Sequence, residues 1–148
     1  MKASLAFGTA LLVSAGPAVA ENWNTVSRTP NNAFMVEVDA VSTVGEITVV
    51  PVATVPRRGE ATDYSHSVET YEFKCGAGQW RTAGIVEYGT DGAEIGRIPE
   101  EGGSWEQTRA NTLPDFLKQI ACEGARADPP TWPSIKAFVD GGRVLPNF

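Results

Sequence analysis

The sequence predicts an α+β protein: an antiparallel β-sheet with a C-terminal α-helix packed on it and tethered by a disulfide. Three observations point there. Between Trp23 and Ile98, successive segments alternate apolar and polar side chains, the two-residue period of half-buried strands. One segment near residues 113–123 instead carries apolar residues at helical spacing. The two cysteines, Cys75 and Cys122, fall on a strand segment and at the end of that helix.

The chain opens on MKASLAFGTALLVSAGPAVA. Lys2 precedes an uncharged, largely apolar run to Ala15, and Ala18-Val19-Ala20 has the small residues of a processing site. This pattern is that of a secretory signal peptide over residues 1–20, cut between Ala20 and Glu21. The run is too short to span a bilayer, and Gly16-Pro17 interrupts it. Glu21 rather than cysteine follows the cut, so neither a lipid anchor nor a transmembrane segment is expected. The destination is the periplasm or the exterior, the cell surface included. Residues 21–148 suit one domain, and a chain of that length buries about two-thirds of its unfolded surface. Without Lys2, 11 Lys and Arg stand against 18 Asp and Glu, a charge of −7. That balance opposes nucleic acid and anionic membrane surfaces as partners, and neither is expected.

The strands follow in order. Trp23 to Arg28 is a first strand, ended by Pro30-Asn31-Asn32. In AFMVEVDA, Phe34, Val36 and Val38 share one face, and Glu37 and Asp39 the other. STVGE is a turn, and ITVVPVATV is a β-branched strand. Pro51 cannot donate to a ladder, which places that strand at an edge or a bulge. Residues 56–66, PRRGEATDYSH, form a polar loop. The next strand ends in YEFKC, with Tyr71, Phe73 and Cys75 on its apolar side. After a turn at Gly76 and Gly78, QWRTAGIVEY alternates so that Trp80, Val86 and Tyr88 share a face. GTDG is a hairpin signal, and AEIGRI is the returning strand.

Thr112 is the expected N-cap of the helix, with Asp115 completing an imperfect capping box and Pro114 in the first turn. Leu113, Phe116, Leu117, Ile120 and Ala121 form one apolar stripe, and Gly124 ends the helix. In an oxidising compartment Cys75 and Cys122 pair as a disulfide. A redox or metal pair is the alternative, but the chain has no C-x-x-C and a single histidine. On a regular helix Cys122 projects away from Leu113, so the bridge needs a loosened last turn or a strand cysteine lying beside the helix. The Pro- and Gly-rich tail, residues 127–148, offers SIKAFVD as a short helical turn, with Trp132 and Phe148 as docking residues and the rest extended.

No residue cluster announces a reaction, so no catalytic residue, metal or cofactor is expected. Asp63, Ser65, His66 and Ser67 are neighbours in one loop, whereas a Ser–His–acid mechanism gathers its groups from separate segments. Glu100 and Glu101 are adjacent and hold no fixed separation. The acidic TDGAE lacks EF-hand spacing, and Arg58-Gly59-Glu60 differs from a cell-attachment R-G-D by one methylene. Trp23, Trp80, Trp105 and Trp132 serve either as core or as a stacking platform.

The order of these features resembles the surface-adhesin protein E-like domain family of proteobacteria. The resemblance rests on Trp23, on Asp39 after an alternating strand, on YEFKC followed by QWR, on SWEQ before the helix, and on LKQIACEG. It covers about residues 22–123, within a domain taken as 21–126. It implies about six antiparallel strands, a helix held by the Cys75–Cys122 bridge, and a role at the bacterial surface through host matrix or plasma proteins. The expected function is thus an exported, non-enzymatic binding protein with a protein partner. A periplasmic accessory or envelope protein is the second reading, and a small hydrolase dependent on His66 the third. No ligand-contacting residue is assigned.

Overall fold

The computed structural model describes residues 20–100 and 103–147. Residues 1–19, where the signal peptide is expected, and Glu101, Gly102 and Phe148 lie outside the described residues. The sheet is built from β1 (Trp23–Arg28), β2 (Asn32–Glu37), β3 (Ser42–Val44), β4 (Ile47–Pro56), β5 (His66–Lys74), β6 (Gln79–Tyr88), β7 (Glu94–Pro99), β8 (Glu106–Gln107) and β9 (Thr131–Trp132). Two helices accompany it, α1 (Leu113–Glu123) and α2 (Ile135–Asp140). The strands run β7-β6-β5-β4-β2-β1-β9, with β3 on β4 and β8 on β6, and every pairing is antiparallel. The α+β expectation stands, but nine strands replace about six. The additions, β3, β8 and β9, span two or three residues each, too few to display a period.

β4 is central, not at an edge, and Pro51 carries no bulge there. Pro51 fits because β2 pairs with β4 only from Val52 onward and β3 only up to Val49. On that side Pro51 has no ladder partner, although it pairs with Thr70 of β5 on the other.

Cross-strand partners share a face, and neighbours along a strand point oppositely. Val36 pairs with Val52, and Met35 with Ala53. Val36, Val38, Val50, Val52, Tyr71 and Phe73 pack beneath Leu117 and Ile120 of α1. Trp23, Met35, Ala53 and Val55 pack beneath Ile135, Phe138 and Val139 of α2. The two helices therefore cover opposite faces of one sheet, and β4 passes from one core to the other between Val52 and Ala53. Phe34, expected beside Val36 and Val38, is half-buried, outside α1's cover.

A bulge changes the reading of β6. Glu69 pairs with Ile85 but Tyr71 with Thr82, so β6 carries one extra residue. Gly84 lies in that stretch at φ 127°, and a Cβ there would come 3.0 Å from the Ile98 carbonyl oxygen. The extra residue inverts the faces, as a one-residue slip must. Trp80 pairs with Phe73 on the α1 side, while Val86 and Tyr88 pair with Val68 and His66 on the α2 side. The expectation that Trp80, Val86 and Tyr88 share a face is corrected accordingly.

α1 starts at Thr112 and ends at Gly124, whose φ of 70° suits glycine. The capping box does not form. The Thr112 hydroxyl donates to the Arg109 carbonyl, and Asp115 accepts instead from the Asn111 N–H at 3.1 Å. Phe116 lies at the edge of the stripe and is 39% exposed, not core. Cys75 and Cys122 form the disulfide, with Cα atoms 5.5 Å apart. Cys75 sits in the 3₁₀ turn Cys75–Ala77 just past β5, which packs against α1. The sheet cysteine thus lies beside the helix, and Cys122 reaches it from the final turn.

Candidate functional site

α1 packs on β1, β4, β5 and the turn after β5. Its face of the sheet extends beyond this cover onto β6 and β7. There Tyr71 stacks on Trp80 with ring centroids 5.7 Å apart, walling a pocket of about 280 Å³ with Glu106, Arg109 and Pro114. Burial and then the neighbouring Glu69 raise the Tyr71 hydroxyl's pKa, and burial raises the Glu69 carboxyl's. Ile85 pairs with Ile98 across β6 and β7 on the same face. Ile98 is 56% exposed and Ile95 69%. Among the described residues β7 pairs with β6 alone, so its outer edge is open.

The opposite face near β8 is fastened. Trp105 lies between the Lys74 ammonium, 4.3 Å from its ring centroid, and the Arg81 guanidinium at 4.5 Å. Arg81 Nε also donates to Glu72 at 2.6 Å. The QWR and SWEQ segments thus meet as a latch that holds β8 to β6.

A second feature lies on the α2 side, a cleft of about 270 Å³ bordered by β5, β6, the β6–β7 turn and α2. The His66 and Tyr88 rings stack 4.3 Å apart and nearly parallel, as their cross-strand pairing dictates. Tyr64, Trp23, Val68 and Ile135 complete the apolar walls, and Glu21, Asp91, Ser134 and Lys136 supply polar groups. Tyr64 donates its hydroxyl to Asp140 at 2.8 Å. Lys136 pairs with Asp140 at 2.5 Å and stands over the Tyr64 ring. Burial lowers the His66 pKa, against the hydrogen bond to the Tyr64 carbonyl and the charge of Glu21, both of which raise it.

The sequence-singled residues separate in space. His66 directs Nδ1 to the Tyr64 carbonyl at 2.7 Å, and Ser67 pairs on the opposite strand face. Asp63 accepts from the Ser65 N–H at 2.9 Å, and hydrogen bonding from the Ser65 side chain and then from its N–H lowers the carboxyl's pKa. These are turn and strand contacts, not a converging triad. Arg143 donates to the Glu60 and Asp63 carbonyls, tying the RRGE loop to the tail. Glu100 accepts from the Thr82 hydroxyl at 2.6 Å. Ala20 and Glu21 lie at the start of the described chain, with Glu21 accepting from Trp23 Nε1 at 2.6 Å. Among the described residues no three His, Cys, Asp or Glu side chains group to hold a metal ion, and no helix is long and apolar enough to cross a membrane. The aromatic cleft was not legible beforehand. Trp23, Tyr64, Tyr88 and Ile135 meet only through the fold, and the single local hint was the alternation that places Tyr88 on an inward face.

No curated protein and no solved structure matches the chain. A family model described as surface-adhesin protein E matches residues 23–123. That span runs from the tryptophan opening β1 to the end of α1 and includes both bridged cysteines. The chain belongs to the surface-adhesin protein E family.

Proposed function

We propose that the chain is exported, cut between Ala20 and Glu21, and acts without catalysis as a binding protein whose partner is a protein, host or matrix proteins being the class the family name suggests. The contact surface is the β6–β7 corner. The observation that carries this reading is the open edge of β7, with Ile95 and Ile98 exposed and Ile98 paired with the half-buried Ile85 of β6. An edge strand offers unpaired N–H and C=O groups to a partner's extended segment, and flanking apolar side chains add selectivity. Arg97 and Glu94 form an ion pair on this strand at 2.9 Å, which gives the edge a polar register beside its apolar residues.

Two measurements test the reading. Ile98→Lys at the exposed end of β7 is expected to weaken binding to immobilised matrix proteins about tenfold while the thermal midpoint hardly moves. Equal binding by the variant removes the β7 edge from the reading. Protease added to intact cells distinguishes location: digestion supports surface adhesion, and protection until the outer membrane is opened supports the periplasmic alternative.

A further inference from the structure

The cleft on the α2 side has an arrangement of acceptors that the β7 edge does not explain. Asp91 uses Oδ1 to accept the Ala93 N–H at 2.9 Å, which orients the carboxylate, and among the described residues Oδ2 has no partner. Glu21 is fixed in the same way by the Trp23 indole N–H. His66 Nδ1 faces a carbonyl, which only accepts, so Nδ1 carries the proton and Nε2 of the neutral ring is an acceptor. Lys136, the one Lys or Arg bordering the cleft among the described residues, is paired with Asp140. Neither Glu21 nor Asp91 is in an ion pair among the described residues. The cleft thus combines flat aromatic walls, three positioned acceptors and unneutralised negative charge.

Its volume, about 270 Å³, falls below the range of about 300–1,000 Å³ usual for whole small-molecule ligands. One long side chain fits that space better than a free metabolite. A planar group that stacks on aromatic rings, donates several N–H bonds in a fixed fork and carries positive charge is a guanidinium. We infer that this cleft receives the side chain of an arginine offered by a protein partner. The inference rests on the reading that the partner is a protein, and it places a second contact on the face of the sheet opposite α1.

The test uses the exported protein, labelled with ¹⁵N and titrated with the peptide acetyl-Gly-Arg-Gly-amide. Its neutral isostere, acetyl-Gly-citrulline-Gly-amide, and methyl β-glucoside are run in parallel. The arginine peptide is expected to shift amides of residues 64–68, 88–92 and 134–136 saturably in the millimolar range. Citrulline should bind at least tenfold more weakly. Asp91→Asn keeps an acceptor for the Ala93 N–H while removing the charge, and should weaken the arginine peptide severalfold with the spectrum otherwise unchanged. Equal responses to arginine and citrulline, shifts with the glucoside alone, or no shifts at these residues overturn the inference. Ile98→Lys should leave the shifts intact. Failure of the arginine slot is thereby separated from failure of the β7 edge.

Discussion

At the scale of single residues, two side chains tie local chemistry to stability. His66 is held neutral by burial, its pKa lowered from 6.5. A histidine whose folded pKa is depressed leaves the unfolded chain binding more protons. Its contribution is complete above about pH 6.5 and is lost as pH falls from there through the folded pKa. Glu21, Tyr64, Tyr88, Asp91 and Lys136 border the same cleft. Glu69 is on the other face and acts in the opposite sense, its raised carboxyl pKa shifting stability above the ordinary 4.5. Urea titrations at pH 7.5, 6.5 and 5.5 are therefore expected to show a falling midpoint, and His66→Phe should flatten that slope while keeping a ring against Tyr88. Gly141 is the second case. A Cβ there would lie 2.6 Å from the Trp132 ring, a contact no relaxed side chain makes. Gly141→Ala is expected to cost about 1–3 kcal/mol, read as a lower urea midpoint at unchanged slope. The sequence shows Gly141 only as one of a Gly-Gly pair, since the Trp132 ring that needs its space comes from another element.

At the scale of elements, the staple between the turn after β5 and the last turn of α1 dominates. It closes a separation of 47 residues, for which the chain-entropy model gives roughly 4 kcal/mol. Cys75→Ala with Cys122→Ala is expected to lose about that much, and reductant on the parent protein should shift the urea midpoint equally. The elements most visible beforehand were those with long, clean periods. β5 and α1 follow directly, from the alternation that includes Tyr71 and Phe73 and from Leu117 and Ile120 with Gly124 as stop. What stayed hidden has physical reasons. The extra residue near Gly84 is a local backbone insertion that leaves the residue order looking regular, yet it sends Trp80 and Val86 to opposite faces. Pro51 is a poor strand residue by itself, and only the gap between the β2 and β3 ladders makes it harmless. Phe116 has the right spacing for the core, but it lies at the edge of the stripe and its ring borders a pocket beside Thr25 and Val26 of β1.

At the scale of the whole molecule, stability depends on a sheet buried from both sides at different ends. α1 covers Val36, Val50, Val52 and Phe73, and α2 covers Met35, Ala53, Val55 and Trp23. The family match ends at residue 123, so the matched segment carries α1 and its core but not the lid over the second core. The missing part also anchors its surroundings. Trp132 pairs with Trp23 across β9 and β1 and meets Phe138 edge-on at 5.7 Å, Asp140 holds Tyr64, and Arg143 holds the loop before β5. Phe138 is fully buried, so Phe138→Ala is expected to cost about 3–5 kcal/mol. Ending the chain after Ala127 should do more, because Met35, Ala53, Val55 and Trp23 would then face water together. The truncated protein is expected to keep its disulfide and much of its strand signal in far-ultraviolet dichroism. It should bind a hydrophobic dye and unfold over a broad urea range, as chains do when backbone pairing outlasts side-chain packing. A sharp transition at the full-length midpoint would mean that α2 rests on an already sufficient fold, and that the core beneath α1 alone sustains the sheet.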